Sequence, residues 1–339
     1  MKNMRSLICF ILLLSLMSCE KEVKYSLPKY IPPVEVVVPP DNSAKPDKTV
    51  AKDGAGDYTT LQAAIDAAPN NGTKYYLIAI KNGVYKEVLT IPKNKNYIHF
   101  KGEDKEKTVL TFDNYSERLD GNGIKYGTSG SASVFIKADY FKAENLTFEN
   151  TAGIDAGQAL AINIGGNFSA FNNCRFLAFQ DTYYAADNTI QYLKDCYIAG
   201  TVDYMFGGST AVFDRCTLHS LRSGYITAAS TPAGKKYGYV YLNCKLTGTS
   251  GTASVHLGRP WRPNANVVFV NCEMAGHIKP EGWNNWGDVA NEATAFYAEY
   301  KSTGDGYKAG QRQSWSKQLT DEQVKEYTLE KILGTWKPF

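Results

Sequence analysis

The chain has 339 residues, 43% of them apolar, so one large domain or two ordinary ones can bury a full core. Its formal charge is only +3, and Lys2 and Arg5 at the extreme N-terminus supply two of those charges. The remainder is close to neutral, which argues against a nucleic-acid binder with its usual basic stripe.

In chain order, Lys2 and Arg5 precede an apolar run from Leu7 to Met17, followed by Ser18 and Cys19. A charged start and a short apolar run predict a signal peptide over residues 1–18, too short to span a bilayer. Leu16-Met17-Ser18-Cys19 resembles a bacterial lipobox, which makes Cys19 the expected lipidation site and the lipid the expected membrane contact. Residues 19–48 carry Pro28, Pro32, Pro33, Pro39, Pro40 and Pro46. So many prolines resist helix and ladder alike, and predict a tether ahead of a domain spanning 49–339. The protein is therefore expected to be exported and membrane-anchored, at the outer membrane or cell surface in preference to facing the periplasm.

Next comes an amphipathic helix. Leu61, Ala64, Ile65 and Ala68 share one face, Thr59 or Thr60 precedes the first turn, and Pro69 stops it. From there a short pattern recurs: Phe171-Asn-Asn-Cys174-Arg-Phe176, then Leu193 to Ile198 around Cys196, and Phe213 to Leu218 around Cys216. Tyr241 to Leu246 around Cys244 and Phe269 to Met274 around Cys272 continue it. An earlier copy, Phe141 to Phe148, is aligned with Asn145 in the cysteine slot. Each copy alternates apolar with polar residues, and the copies recur every 20–29 residues, the period of a solenoid built from short strands. The expected fold is all-β, a parallel β-helix, with the short N-terminal helix capping its open end. The segment after Gln318 has weaker helical character and is expected to cover part of the other side. The cysteines then form an internal ladder of small apolar groups; a bridge between adjacent rungs stays open, with Cys196 and Cys216 the first choice. A single copy is expected, since caps close such a core.

Familiar catalytic motifs are missing. There is no Gly-x-Ser-x-Gly elbow, no phosphate-binding loop and no dinucleotide fingerprint. The four histidines, His99, His219, His256 and His277, form no metal-binding pair, and no metal or other cofactor is expected. Hydrolytic chemistry must then rest on carboxylates. Asp181 and Asp203 lie 22 residues apart, the same step as Cys174 to Cys196, so they are expected on adjacent rungs of one face. Two carboxylates that close do not ionise together, which separates an acid from a nucleophile or base.

The chain from about Val50 onward resembles the pectin methylesterases. Gly83-Val-Tyr85-Lys-Glu87 is similar to their Gly-x-Tyr-x-Glu. Gln180-Asp181-Thr182-Tyr183-Tyr184 is similar to Gln-Asp-Thr-Leu-Tyr, and Asp203-Tyr204-Met205-Phe206-Gly207 to Asp-Phe-Ile-Phe-Gly. Leu257-Gly258-Arg259-Pro260-Trp261 is unchanged, and Gly282-Trp283 and Ala298-Glu299-Tyr300 fall in order behind it. The resemblance implies a right-handed parallel β-helix of the pectin lyase-like kind and the demethylation of methyl-esterified pectin, a homogalacturonan. Asp203 would be the nucleophile and Asp181 the acid and then base. Gln180 and Gln158 would serve the oxyanion, Arg259 would hold Asp203 ionised, and Trp261, Phe206 and Tyr184 would wall the sugar cleft. One departure stands out: the family's Tyr-Ile-Thr-Ala-Gln reads Tyr225-Ile-Thr-Ala-Ala229 here, which is expected to alter the groove. Other readings of the same chain are an acyl thioesterase or general esterase on this dyad, a lyase or polygalacturonase on the same fold, and a non-catalytic pectin-binding surface protein.

Overall fold

The computed structural model describes residues 45–339; the expected signal peptide, Cys19 and most of the expected tether lie outside the described residues. Short strands stack in parallel into a right-handed β-helix. One face is an eleven-stranded sheet running from Lys48–Val50 to Lys317–Gln318. The other two faces belong to a thirteen-stranded sheet, joined where Tyr197–Gly207 and Thr217–Ala229 run through a corner without a break. Alternation explains the choice of strand: in Tyr183–Ala185, Tyr183 and Ala185 are buried while Tyr184 is only half-buried and faces outward. Interior rings stack coil on coil, with Tyr241 lying 4.5 Å from Phe213 and 4.4 Å from Phe269.

The cysteine ladder is real and reduced. Cys174, Cys196, Cys216, Cys244 and Cys272 are all buried free thiols, so the Cys196–Cys216 bridge is not formed. Each Sγ–H donates to a backbone carbonyl one coil earlier, as Cys244 does to Phe213 at 3.2 Å and Cys272 to Tyr241 at 3.6 Å. The residue before each thiol turns the corner in the left-handed region: Asn173, Asp195, Arg215, Asn243 and Asn271 have φ of 52–54°. Asn is among the residues that tolerate this conformation best. Here one expectation needs correcting. Asn145 also has φ 57° and donates no core group; it aligns with Asn173, so Leu146 occupies the cysteine slot. The error of one residue arose because asparagine is the corner residue, not the core residue.

The helix Leu61–Ala67 packs Leu61, Ala64 and Ile65 on the first coils. Thr60 sits at its N-cap in an extended conformation, but its side chain makes no capping bond. Glu87 does the capping instead, accepting from the amides of Leu61 at 2.9 Å and Gln62 at 3.2 Å. A carboxylate there also favours the positive end of the helix dipole. At the other end, Lys95 donates to the carbonyls of Asp66 and Ala68.

The far end is closed differently. Arg312 reaches Glu299 through Nε at 2.7 Å and Nη2 at 3.0 Å, and donates to the carbonyls of Lys279, Pro280 and Gly306. Both charged side chains are almost fully buried, a pair tolerable only because every donor is used. Gly282, at φ 69°, makes room: a Cβ there would lie 2.6 Å from Arg312 Cδ. The tail beyond Gln318 forms a 3-10 turn, Gln323–Glu326, and a helix, Leu329–Leu333. It seats Ile332, Leu333 and Trp336 on the outer side of the eleven-stranded sheet against Val212, Val240 and Val268. It therefore covers a flank, while residues before it close the end.

Cys244→Ala removes one rung of the ladder and leaves a small cavity. It should cost about 1 kcal/mol in denaturant melts and leave turnover per folded molecule unchanged. A chain that no longer folds would mean the slot does more than fill space.

Candidate active site

The site lies on the corner where the two faces of the larger sheet meet. Tyr183 pairs with Met205 in register, so Asp181 and Asp203 occupy equivalent positions of adjacent coils. The amide of Asp181 donates to the carbonyl of Val202 at 3.0 Å. Both aspartates bend the chain in the left-handed region, with φ of 64° and 51°. The ladder above them is irregular here, slipping between Gly200 and Val202 and again between Val202 and Met205. Gly200 permits the tight bend: a Cβ on it would lie 2.2 Å from Tyr204 Cβ. Side chains at a bend leave the plane of the sheet, so both carboxyls reach the outer surface although each residue is buried.

The two carboxyls differ in their surroundings. Asp203 accepts from Arg259 Nε at 3.0 Å and Nη2 at 2.7 Å, a two-pronged charge-assisted pair. Arg259 comes from the strand Val255–Pro260, two coils further along. Among the described residues no side chain donates to Asp181. Burial and the neighbouring Asp203 charge push the Asp181 carboxyl well above the usual carboxylate range, against a smaller opposing pull from Arg259. Asp203 was expected to sit low because of Arg259. Burial outweighs the arginine, and its carboxyl also lies above its ordinary value, though less far. The order survives: of the two carboxyls, Asp203 is the one that gives up its proton more readily.

Gln158 and Gln180 bridge one another on successive coils and face the same cavity. Ser116, from the long loop before Val134–Ile136, donates its amide to the Gln158 carbonyl and its hydroxyl to Gln158 Oε1, both at 2.9 Å. With Oε1 occupied, the Gln158 NH2 is the end left for a ligand. Tyr184, Phe206 and Trp261 form a continuous aromatic wall, with centroids 4.8 and 5.9 Å apart. All eight residues expected at the site thus line one cavity of about 600 Å³. Among the described residues, no cluster of three His, Cys, Asp or Glu side chains converges as a metal site.

Sequence reasoning missed Ser116, Thr128, Ser129 and Trp286, the last three of which also line the cavity. Trp286 had a weak signal, three residues beyond Trp283 in a Trp-x-x-Trp pattern; the loop residues had none. It also misplaced one departure. Ala229 is fully buried in the interior core, so the departure falls inside the coil and not on the groove wall. Ala228 is the residue that faces Phe206 and Trp261.

The chain matches the Pectinesterase family model over residues 47–335. It is 41% identical to Pectinesterase 31 of Arabidopsis thaliana over 280 residues, covering 81% of this chain and 88% of that one. Other plant relatives are longer: Pectinesterase 2 of Arabidopsis thaliana is 36% identical, and the chain spans about half of it, 51%. Among solved structures, the pectin methylesterase from carrot superimposes with a TM-score of 0.79 at 31% identity, covering 87% of this chain and 95% of that one. A pectin methylesterase in complex with a hexasaccharide gives 0.77 at 33% identity, covering 88% and 99%.

The unpartnered Asp181 carboxyl carries a stability signature. Its pKa is higher folded than unfolded, so its contribution is present at acid pH and is lost as pH rises through the folded value. Asp181→Asn cannot ionise and escapes that loss. Its melting temperature should exceed the wild-type value by a margin that grows from about pH 4 to about pH 7. A margin that stays flat or reverses would show that Asp181 is not held protonated.

Proposed function

The chain belongs to the pectinesterase family, a pectin methylesterase that removes methyl esters from pectin, and we propose that it does so with Asp203 as nucleophile and Asp181 as acid and base. The observation that carries this division is the asymmetry of two in-register aspartates, one clamped by an arginine and one left without a donor. An ionised carboxylate oriented by Arg259 is suited to attack the ester carbonyl. A buried carboxyl that keeps its proton is suited to give it to a departing methoxide.

In this reading Asp203 Oδ bonds to the carbonyl carbon, and the carbonyl electrons move to oxygen. The NH2 groups of Gln158 and Gln180 receive that oxyanion, fixed in place before charge develops. The C–O bond to methoxide then breaks, Asp181 protonates it, and methanol leaves an acyl-enzyme on Asp203. Asp181, now ionised, takes a proton from water, and the hydroxide attacks the acyl carbon. Collapse frees the galacturonate carboxyl and returns Asp203 as carboxylate and Asp181 as acid. Tyr184, Phe206 and Trp261 offer the faces against which a sugar ring packs.

The N-terminal sequence supports a further part of this reading. Leu16 to Cys19 favours a lipidated Cys19, with the proline-rich segment holding a single copy of the domain off the membrane, exported and displayed at the outer membrane or cell surface. Fatty-acid labelling of the wild type and of Cys19→Ser separates this from a soluble exported protein.

The dyad is tested by changing the leaving group. Asp203→Asn should abolish methanol release, because an amide is too weak a nucleophile to take over. Asp181→Asn should lose at least about a hundredfold. An ester whose alcohol leaves more readily than methanol needs less proton donation, so it should recover part of the Asp181→Asn loss and none of the Asp203→Asn loss. Equal rescue of both variants would reverse or dissolve the assignment.

A further inference from the structure

The Asp203–Arg259 pair is controlled on its faces as well as its edge. The edge of the guanidinium is committed to Asp203 through Nε and Nη2. One face lies over Tyr225, with the central carbon 3.9 Å from the ring centroid. The opposite face lies under Trp286, with that carbon 3.8 Å from the centroid. Arg259 is thus sandwiched between two aromatic rings.

The two halves of the sandwich are built differently. Tyr225 belongs to the strand Thr217–Ala229 and is itself stacked on His256, with centroids 5.0 Å apart and planes 9° from parallel. The scaffold fixes that side. Trp286 stands on a loop at φ 63°, a strained backbone for a bulky residue, and is 38% exposed. Trp283, three residues earlier, is fully buried in the core. The loop is nonetheless tied down: Trp286 N–H donates to Asn284 Oδ1 at 2.8 Å, Gly287 N–H to Asn285 Oδ1 at 2.9 Å, and Asn285 Nδ2 to Glu292 Oε1 at 2.8 Å. Among the described residues the only aromatic or cationic contact of Trp286 is with Arg259. An exposed indole held on a strained, cross-braced loop does not serve core packing.

We propose that Trp286 is a positioning residue for the nucleophile, closing the outer face of Arg259 so that its planar fork stays aligned with the Asp203 carboxylate and solvent is kept from the pair. A guanidinium loses alignment by rotating about its last side-chain bonds. Rings on both faces block that rotation, and cation–π attraction favours the aligned state more strongly where water is excluded. This rests on the reading of Asp203 as nucleophile and goes beyond it: a mere wall residue would act on substrate affinity, whereas Trp286 acts on the competence of Asp203.

Three variants of the full chain, Trp286→Phe, Trp286→Leu and Trp286→Ala, separate these roles when kcat and KM for methanol release from methylated pectin are measured across pH. Phe keeps an aromatic face and should hold kcat within about threefold of wild type. Leu keeps an apolar cover without that face; its kcat should fall roughly tenfold and its acid limb should move to higher pH, because Arg259 holds Asp203 ionised less firmly. Ala should lose at least as much kcat as Leu, with all three melting temperatures near the wild-type value. A raised KM with unchanged kcat and an unmoved acid limb would overturn the proposal, as would a Leu variant as active as Phe. Asp203→Asn, run alongside, keeps the two levels apart: if it still releases methanol the nucleophile is misassigned, and if it is inactive while the Trp286 variants show only KM effects, the positioning role alone fails.

Discussion

Parallel, in-register stacking is the constraint from which the rest of this molecule follows. Equivalent positions of neighbouring coils lie about 4.8 Å apart, whatever the residues there. In the core this spacing lines up five thiols and a column of aromatic rings. At the corner of the larger sheet it brings two aspartates together at a separation that two exposed, mobile carboxylates would not choose. Strong backbone ladders on both sides hold the carboxyls in place, and their mutual repulsion becomes a difference in protonation.

That difference is then shaped by what each carboxyl can reach. Arg259 arrives from two coils away and saturates Asp203 with two bonds. Its guanidinium is spoken for on both faces, so it cannot easily turn to serve Asp181 as well. Asp181 is left with burial and a neighbouring charge, both of which favour its neutral form. Burial also lifts Asp203, which means that the arginine works against desolvation to keep the proposed nucleophile ionised in a partly dry cleft. Sites of this kind are strained and electrostatically unfavourable, and the surrounding coils supply the stability that sustains them.

Residues that look like sequence signatures of function turn out to share the work of construction. Glu87, in the Gly83 to Glu87 motif, caps the helix that closes the first coil. Glu299 is the buried partner of Arg312 at the far end, and Gly282 leaves the space for that arginine. These positions are far from the dyad in role but hold the stack at its two ends, where an open β-helix would otherwise offer unpaired edges.

Much of this was written in the sequence because a solenoid makes chain distance equivalent to spatial distance. The recurring slot around Cys174 to Cys272 determined the strand repeat, and the equal spacing of 22 residues placed Asp181 on Asp203. The same logic slipped at Asn145, where corner and core residues are adjacent in the chain, and it could not tell whether adjacent thiols would bridge. Tertiary structure alone decided what lies outside the repeat. Loops have no period, so nothing in the chain announced that Ser116 would orient Gln158, or that Trp286 would cover Arg259. The inward direction of Ala229 and the balance of burial against the arginine at Asp203 likewise depend on packing and on the depth of the cleft. Periodic backbone pairing is a local rule that sequence spacing records, whereas side-chain direction, solvent exclusion and loop closure are sums over neighbours distant in the chain.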